Sequence, residues 1–174
     1  EDGSLFVKSD GSYVYTPSAG VIGRQEVFDY KLSVFGQDHI ASLTVTVDAI
    51  TTGDALRNTL ISGELNDTFT GHAGSDVLVY HVLESASASG GNGVDHWTDF
   101  HSGNVNTDTN ADIIDISDLL IGFNSANITA DLTASANYLK NYLGVRVDGN
   151  NVTLTLDRDG AGTTYTGKTD LLQL

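Results

Sequence analysis

The segment SGELNDTFTGHAGSDVLV, residues 62–79, consists of two consecutive nonapeptides that align with each other. Both nonapeptides have an aspartate at the sixth position and an apolar residue at the eighth. GGNGVDHWT, residues 90–98, has the same register and matches the pattern GGxGxDx-apolar-x at every position. A degenerate fourth copy is TDTNADIID, residues 107–115, which has Asn110 where a glycine is expected. Self-similarity at a short fixed period indicates a stacked repeat architecture.

The copies share two chemically distinct positions. Glycine in the first part of a copy permits positive φ and lets backbone carbonyl oxygens converge, while the sixth-position aspartate adds a charged oxygen. Such a set of oxygens suits a hard cation, and the apolar eighth position is expected to point into a core. The sixth positions are Asp67, Asp76, Asp95 and Asp112, and the eighth positions are Phe69, Leu78, Trp97 and Ile114.

These nonapeptides resemble the calcium-binding repeats of the repeats-in-toxin (RTX) family. The resemblance implies a parallel β-roll in which each copy forms half a coil, with a six-residue turn followed by a three-residue strand. Turns on one side of the roll then come from every second copy. One calcium site is therefore expected between the first and third copies, with the side chains of Asp67 and Asp95 and with carbonyl oxygens near Ser62, Glu64, Gly90 and Asn92.

A second calcium site is expected on the other side of the roll. It would join Asp76 and the turn Gly71–Gly74, which includes Ala73, to Asp112. The insertion Tyr80–Ser89 preserves both pairings only if it bulges out as a loop. Three further aspartates could be ligands, turn or helix caps, or solvated charges: Asp99, Asp115 and Asp118. Of these, Asp99 is counted among the candidate calcium ligands.

The first 49 residues have the period-two pattern of half-buried antiparallel strands. One strand is predicted within Ser9–Pro17, after the turn-forming Asp10-Gly11, and Gly20 and Gly23 are predicted to break the chain before the next strand. The alternating apolar residues of the next two strands are Phe28, Tyr30, Leu32 and Val34, followed by Leu43, Val45 and Val47.

This order of segments resembles the closing half of the bacterial immunoglobulin-like and cadherin-like repeats of large surface adhesins. The resemblance implies that residues 1–49 form a partial immunoglobulin-like β-sandwich whose leading strands are missing. Residues 50–58 are small and polar without alternation, so they are predicted to be a linker. Residues 59–174 form the second predicted unit.

After the last copy the sequence stops repeating. Thr98–Phe100 and Ala111–Gly122 resemble the signatures that close the roll in adhesins exported by type I secretion. A helix with Thr133 as N-cap and Gly144 as C-cap is predicted next, followed by a hairpin around Asp148–Asn151. Both are expected to cap the roll and protect an exposed edge. The predicted apolar face of the helix consists of Leu132, Ala136, Leu139 and Leu143.

Composition excludes several classes of partner. The chain has 23 acidic and 8 basic residues, a formal charge of −15, which disfavours nucleic acid and anionic lipid. No apolar run is long enough to span a membrane, and no signal peptide opens the sequence. Cysteine is absent, so disulfides and thiolate metal sites are excluded. Methionine is absent as well, so we expect a fragment of a longer protein, monomeric by itself.

Other interpretations of the polar residues are weaker. Asp157–Gly160 resembles the first half of an EF-hand loop but lacks the glutamate at the twelfth position, so a hairpin turn is favoured over a third calcium site. Catalysis has the least support, because no GxSxG elbow, nucleophilic cysteine or carboxylate pair in an evident cleft is found. A transition-metal site is disfavoured, because no HExxH motif or tight helical pair is formed by His72, His81, His96 and His101.

The combined prediction is a mainly all-β chain, in which a partial immunoglobulin-like sandwich precedes a short calcium-binding parallel β-roll capped by a helix and a β-hairpin. The resemblance implies a non-enzymatic, calcium-dependent folding and export module at the C-terminal end of a secreted or cell-surface bacterial adhesin involved in cell adhesion and biofilm formation. Its partners would be calcium ions, the type I secretion machinery and neighbouring immunoglobulin-like repeats. Two alternatives remain: the RTX tail of a secreted protease or lipase, and a module that binds sugar or another surface through calcium.

Overall fold

A computed structural model describes residues 3–8, 10–17, 24–47, 49 and 51–174. Within these ranges the chain is mainly β, with twelve strands and one α-helix, which confirms the all-β prediction in its coarse form. Some of the N-terminal features predicted from sequence lie outside the described part of the chain. They are the residues Ser9, Gly20 and Gly23, and the side chains of Leu32 and Val34. No helix in the described ranges is long and apolar enough to cross a membrane.

The N-terminal residues form two antiparallel hairpins, each a separate two-stranded sheet. β1 (Gly3–Val7) pairs with β2 (Tyr13–Pro17), and β3 (Arg24–Val34) pairs with β4 (Gln37–Val47). The β3–β4 turn holds Phe35 and Gly36 at φ 51° and 76°, which matches the twist of a two-residue hairpin. The predicted half-buried face is present in β4, where the partly buried residues are Leu43, Val45 and Val47.

The four nonapeptides and the nine residues before them, 53–61, which have Leu60 at the eighth position, form five short strands that alternate between two sheets and pair in parallel. β5 (Thr59–Ile61), β7 (Val77–Val79) and β9 (Ile113–Asp115) make one sheet. β6 (Thr68–Phe69) and β8 (Asp95–Trp97) belong to the other. The register pairs the eighth positions of alternate copies: Leu60 with Leu78, Leu78 with Ile114, and Phe69 with Trp97.

The C-terminal region adds an antiparallel extension to the second sheet. After two short 3₁₀ turns, at Ser117–Leu119 and Ser125–Asn127, the chain forms α1 (Leu132–Tyr142). Three strands follow, β10 (Leu143–Asp148), β11 (Asn151–Leu156) and β12 (Thr169–Gln173), and the sheet order is β10-β11-β12-β8-β6. β12 runs parallel to β8, with Leu172 opposite Asp95, so it covers the edge of the repeat sheet.

The hairpin is found where it is predicted, but the helix differs in three details. Asp131 is the N-cap in place of Thr133, because its carboxylate accepts the amides of Thr133 and Ala134 at 2.9 and 3.1 Å. Leu143 is the C-cap in place of Gly144, since the chain passes directly into β10. The buried face also differs from the prediction: Leu132 is 80% exposed and Ala136 is exposed, whereas Ser135 and Tyr142 are buried.

Repeat and C-terminal region share one hydrophobic core. Burial of these side chains against one another is the main favourable contribution to folding. The eighth positions Leu60, Phe69, Leu78 and Trp97 are no more than 1% exposed, so the repeat fills the centre of this core. The other buried members are Tyr80, Ile116, Leu119, Leu156, Leu171 and Leu172.

Candidate metal centres

The turns of alternate copies stack on each other at one side of the two sheets. The Asp67 amide donates to Asp95 Oδ1 at 2.9 Å, and the Ser62 hydroxyl donates to Asp95 Oδ2 at 2.8 Å. Asp67 in turn accepts the amide of Gly63 at 2.8 Å. The structure therefore brings together Asp67, Asp95 and Ser62, which the sequence assigns to the first site.

On the opposite side, three turns are stacked in the same way. The Asn58 amide donates to Asp76 Oδ1 at 2.7 Å, and the Asp76 amide donates to Asp112 Oδ1 at 2.9 Å. The hydroxyl of Ser75 also bonds to the Ala111 carbonyl. The carboxylates of Asp76, Asp95 and Asp112 thus each accept the amide of the sixth-position residue two copies earlier. The predicted pairing of Asp76 with Asp112 is present in this geometry.

Asn58 belongs to a copy that sequence reasoning missed. GDALRNTLI, residues 53–61, has Asn58 at the sixth position and Leu60 at the eighth, nine residues before Phe69. The Gly53 amide donates to the Thr70 carbonyl at 2.9 Å, so this copy continues the stack. Residues 53–58 are assigned to the linker from sequence, yet they have the hydrogen bonds of a repeat. The signal was the apolar spacing, which was hidden because asparagine replaces aspartate.

The carboxylate of Asp76 is the most unusual group of the stack. The residue is 0% exposed, and its Oδ2 has no hydrogen-bond partner among the described residues. Burial raises the pKa of Asp76, and the Asp112, Asp99 and Asp54 carboxylates add to this effect, against the opposing Asn58 amide. A buried carboxylate oxygen of this kind is compensated by a proton or by a cation.

Gly71 makes room for that oxygen. A Cβ built at Gly71 would lie 2.3 Å from Asp76 Oδ2, so a larger residue would displace the carboxylate. Asp99 lies at the same centre, because its carboxylate accepts the Gly71 amide at 3.0 Å and the His72 amide at 2.8 Å. The same group accepts the indole N–H of Trp97 at 3.0 Å. Asp99 therefore joins the Asp76 side and not the Asp95 side.

Asp95 is the most deeply buried carboxylate on the first side, at 0% exposure. Burial raises the pKa of Asp95 to about 6, although hydrogen bonds from the Asp67 amide and the Ser62 hydroxyl oppose this shift. The buried Tyr80 hydroxyl lacks a hydrogen bond of normal geometry, and burial together with the nearby Asp95 charge raises the pKa of this phenol. Both groups face a site that is poor in positive charge.

The structure uses two predicted carbonyl positions differently. The Gly90 carbonyl accepts the amides of Leu83 and Glu84, both at 2.7 Å, so it is directed to the insertion and not to Asp67. The Asn92 carbonyl accepts the hydroxyl of Ser89, and the side-chain amide of Asn92 donates to the carbonyls of His81 and Ser89 at 2.9 and 3.0 Å. Asn92 Oδ1 also accepts the Ser62 hydroxyl at 3.2 Å, so Asn92 still lies beside the first site. Gly90 and Asn92 therefore anchor the insertion loop. Of the two remaining predicted positions, Glu64 is partly exposed and Ala73 is exposed.

The insertion leaves the repeat register intact and is held from the C-terminal region. Arg158 is 3% exposed, and its guanidinium donates to the carbonyls of Ser85, Ser87 and Leu119 at 2.8–3.1 Å. The hydroxyl of Tyr165 also donates to the Ser85 carbonyl at 2.6 Å. The repeat strands on either side of the insertion keep their parallel pairing, Phe69 with Trp97 and Val79 with Asp115.

In the described part of the chain, no three His, Cys, Asp or Glu side chains converge closely enough to hold a metal by themselves. His81 pairs with Asp118 at 2.7 Å and His101 with Asp108 at 2.9 Å, both on the surface. A cation in the turns would need backbone carbonyls and water beside one or two carboxylates. Calcium accepts such mixed oxygen shells, so the unpartnered Asp76 oxygen and the Gly71 cradle fit it.

Comparison with protein-family models, with curated proteins and with solved structures finds no match to this chain.

Proposed function

We propose that residues 53–115 are a calcium-binding parallel β-roll and that the chain is a calcium-dependent folding module. The observation that carries the proposal is the buried, unpartnered Oδ2 of Asp76 within a stack of acidic turns. The alternation of strands between two parallel sheets at a nine-residue period supports the same assignment.

The aspartates on each side of the two sheets would form a separate calcium site. Asp76, with Asp112 or Asp99 beside it, would hold one calcium, and Asp67 with Asp95 another, with water and carbonyl oxygens of the same turns completing each set. When bound, calcium supplies the positive charge that these oxygens lack. The amides that already bond to the carboxylates hold the turns at the correct spacing, so the sites are partly organised by the fold itself.

Without a cation, the same carboxylates destabilise the roll. Buried charges cost free energy unless they are compensated, and the chain has a net charge of −15. With a dissociation constant of roughly 0.1 mM, as in extracellular modules, about 1 mM calcium stabilises the fold by about 1.4 kcal/mol per site. Several sites together would decide whether a marginal domain is folded.

This dependence suits export before folding. In a cell interior that is low in free calcium, the chain would remain loose enough to pass a type I secretion channel, and it would fold outside. The module is thus proposed as the C-terminal part of a secreted or cell-surface bacterial adhesin, working beside its immunoglobulin-like repeats in cell adhesion and biofilm formation. The two N-terminal hairpins support the incomplete sandwich in this proposal, because Phe6, Val27 and Ile40 are 64–76% exposed and would be covered by further strands.

Calorimetric titration of calcium into chelator-treated protein tests the proposal. The wild-type chain is expected to bind calcium in the millimolar range or tighter, and its melting temperature is expected to fall in excess chelator. Asp76→Asn keeps the shape of the side chain but removes its charge, so it should lose one binding equivalent. Asp148→Asn, an exposed hairpin position, is the matched control. Absence of binding at millimolar calcium would refute the proposal.

A further inference from the structure

A second acidic centre lies outside the repeats, at the loop after β11. Asp157 is 7% exposed, and its Oδ1 is buried without a hydrogen-bond partner in the described part of the chain. Asp159 Oδ1 is buried and unpartnered in the same way. We propose that Asp157 and Asp159 bind a hard divalent cation of the calcium class, at a site separate from the stacked turns.

The two carboxylates are close enough to affect each other's ionisation. Burial raises the pKa of Asp157, and the neighbouring Asp159 carboxylate raises it further. Two adjacent carboxylates in a buried place are stable only when a proton or a cation lies between them. The structure therefore leaves two alternatives, a shared proton or a bound metal ion.

The nearby basic residues do not fill this role. Arg158 lies between the two aspartates in sequence, but its guanidinium is directed to the carbonyls of Ser85, Ser87 and Leu119. Lys168 lowers the pKa of Asp157 from a distance, and no ion pair joins it to either carboxylate within the described residues. These two basic residues therefore do not neutralise the carboxylates of Asp157 and Asp159.

The loop is shaped around the carboxylates. Gly160 has φ 62°, and a Cβ there would lie 2.8 Å from the Tyr142 ring. A Cβ at Gly162 would lie 2.2 Å from Asp159 Oδ2, which accepts the Thr164 amide at 2.8 Å. The Gly162 backbone and the Thr164 amide therefore hold the Asp159 carboxylate within this loop. The exposed residues 161–164 border this centre and admit the water that calcium would need to complete its shell.

A cation at this place would stabilise the contact between the C-terminal region and the repeat. The residue between the ligands, Arg158, holds the insertion that precedes the copy at residues 90–98. β12, the next strand after this loop, pairs with β8 of the same copy. The site would therefore act on the closure of the roll, although its own ligands lie outside the nonapeptides.

Calcium stoichiometry by calorimetry is the first test. The Asp157→Asn/Asp159→Asn variant is expected to bind one calcium fewer per chain than the wild type. Asn has nearly the same shape as Asp and removes the repulsion, so this variant should remain folded in chelator. The control is Asp29→Asn/Asp148→Asn, which makes the same change of charge at exposed positions and should keep the full stoichiometry.

Terbium luminescence locates the ion. Tyr142 lies against the loop, so terbium bound at Asp157 and Asp159 should emit when tyrosine is excited. This emission is expected to fall in the Asn double variant, while emission excited through Trp97, next to Asp99, is expected to stay. Unchanged stoichiometry and unchanged tyrosine-excited emission in the double variant would overturn the proposal in favour of a shared proton. That result would leave the calcium sites of the stacked turns untouched, because Asp76→Asn tests them independently.

Discussion

The backbone amide of Asp67 donates to the carboxylate of Asp95 at 2.9 Å, although the two residues are 28 positions apart. The separation comprises two nonapeptides and the inserted loop, so every second copy is stacked despite the insertion. The same relationship joins Asp76 to Asp112 on the other side. Asp95 and Asp112 therefore each satisfy the backbone of a neighbouring turn, and under the proposed function sixth-position aspartates also offer an oxygen to calcium.

The first prediction separates these two roles at Asp95. Asp95→Ala leaves the Asp67 amide and the Ser62 hydroxyl without their acceptor, whereas Asp95→Asn keeps an acceptor oxygen and removes only the charge. In chelator, the Ala variant should be less stable than the Asn variant by about 1–3 kcal/mol, the cost of a buried polar group left unpaired. Urea unfolding measures this difference. The same pair of substitutions at exposed Asp148 should differ by less than about 0.5 kcal/mol, and an equally small difference at Asp95 would contradict the prediction.

The second prediction is the pH dependence of the calcium-free protein. Burial raises the pKa of Asp95 from 3.8 to about 6, so between these values the folded state binds more protons than the unfolded state. The contribution of Asp95 to the free energy of unfolding is then fully present below pH 3.8, and it is lost as pH rises through about 6. The loss is roughly 2–3 kcal/mol.

Urea unfolding in chelator at several pH values measures this effect. Asp95→Asn should lack this part of the pH dependence, and the difference between wild type and variant isolates Asp95 from the five histidines. Equal slopes of stability against pH in the two proteins would show that Asp95 is ionised as readily when folded as when unfolded.

The sequence predicted the repeat well because its signal is local. A period of nine fixes which residues share a register, so the alignment of Phe69 with Trp97 could be read without coordinates. The pairing of Asp76 with Asp112 followed from the same period, because it decides which turns lie on one side of the sheets. The copy at residues 53–61 was missed because the search relied on aspartate and glycine and not on the apolar spacing.

The parts that could not be predicted depend on long-range contacts. Nothing in the local sequence indicates that Arg158 reaches the carbonyl of Ser85, or that Asp99 turns to Gly71 and Trp97. The predicted helix face was wrong at Leu132 and Ala136, although Leu139 and Leu143 are half-buried as expected. Leu132 fits the helical period but lies on the solvent side, since Tyr138 and Tyr142 pack with Phe123 at ring separations of 5.4 Å.

The third prediction concerns Trp97, the only tryptophan of the chain. Its side chain is 1% exposed and packs edge-on against Phe100 at 5.2 Å. Trp97→Ala should destabilise the fold by about 3–5 kcal/mol because it leaves a large cavity, whereas Trp97→Phe should cost less. Chemical unfolding followed by circular dichroism gives both values.

Trp97 is also a built-in probe of calcium. Its indole N–H bonds to Asp99 at the second candidate centre, so its fluorescence should shift to longer wavelength when chelator loosens the roll and return when calcium is added. The midpoint of this recovery should agree with the calorimetric dissociation constant. If the emission wavelength of Trp97 does not change in chelator, the core around Trp97 does not depend on a bound cation.

The last prediction tests the link between the C-terminal region and the insertion. The buried guanidinium of Arg158 donates to three carbonyls and lies 5.3 Å from the Tyr165 ring. Arg158→Met preserves much of the side-chain volume but removes every donor, so the buried Leu119 carbonyl loses its side-chain partner. The carbonyls of Ser85 and Ser87 keep only the bonds from the Tyr165 hydroxyl and the Gly90 amide. A cost of about 1–3 kcal/mol is expected for a buried acceptor left unpaired. Because Arg158 anchors the insertion before the copy at residues 90–98, a protease should also cut residues 80–89 faster in this variant. Arg146→Met, which removes an exposed ion pair with Asp170, is the control and should leave that cleavage rate unchanged; equal rates in the two variants would show that the loop is held by other contacts.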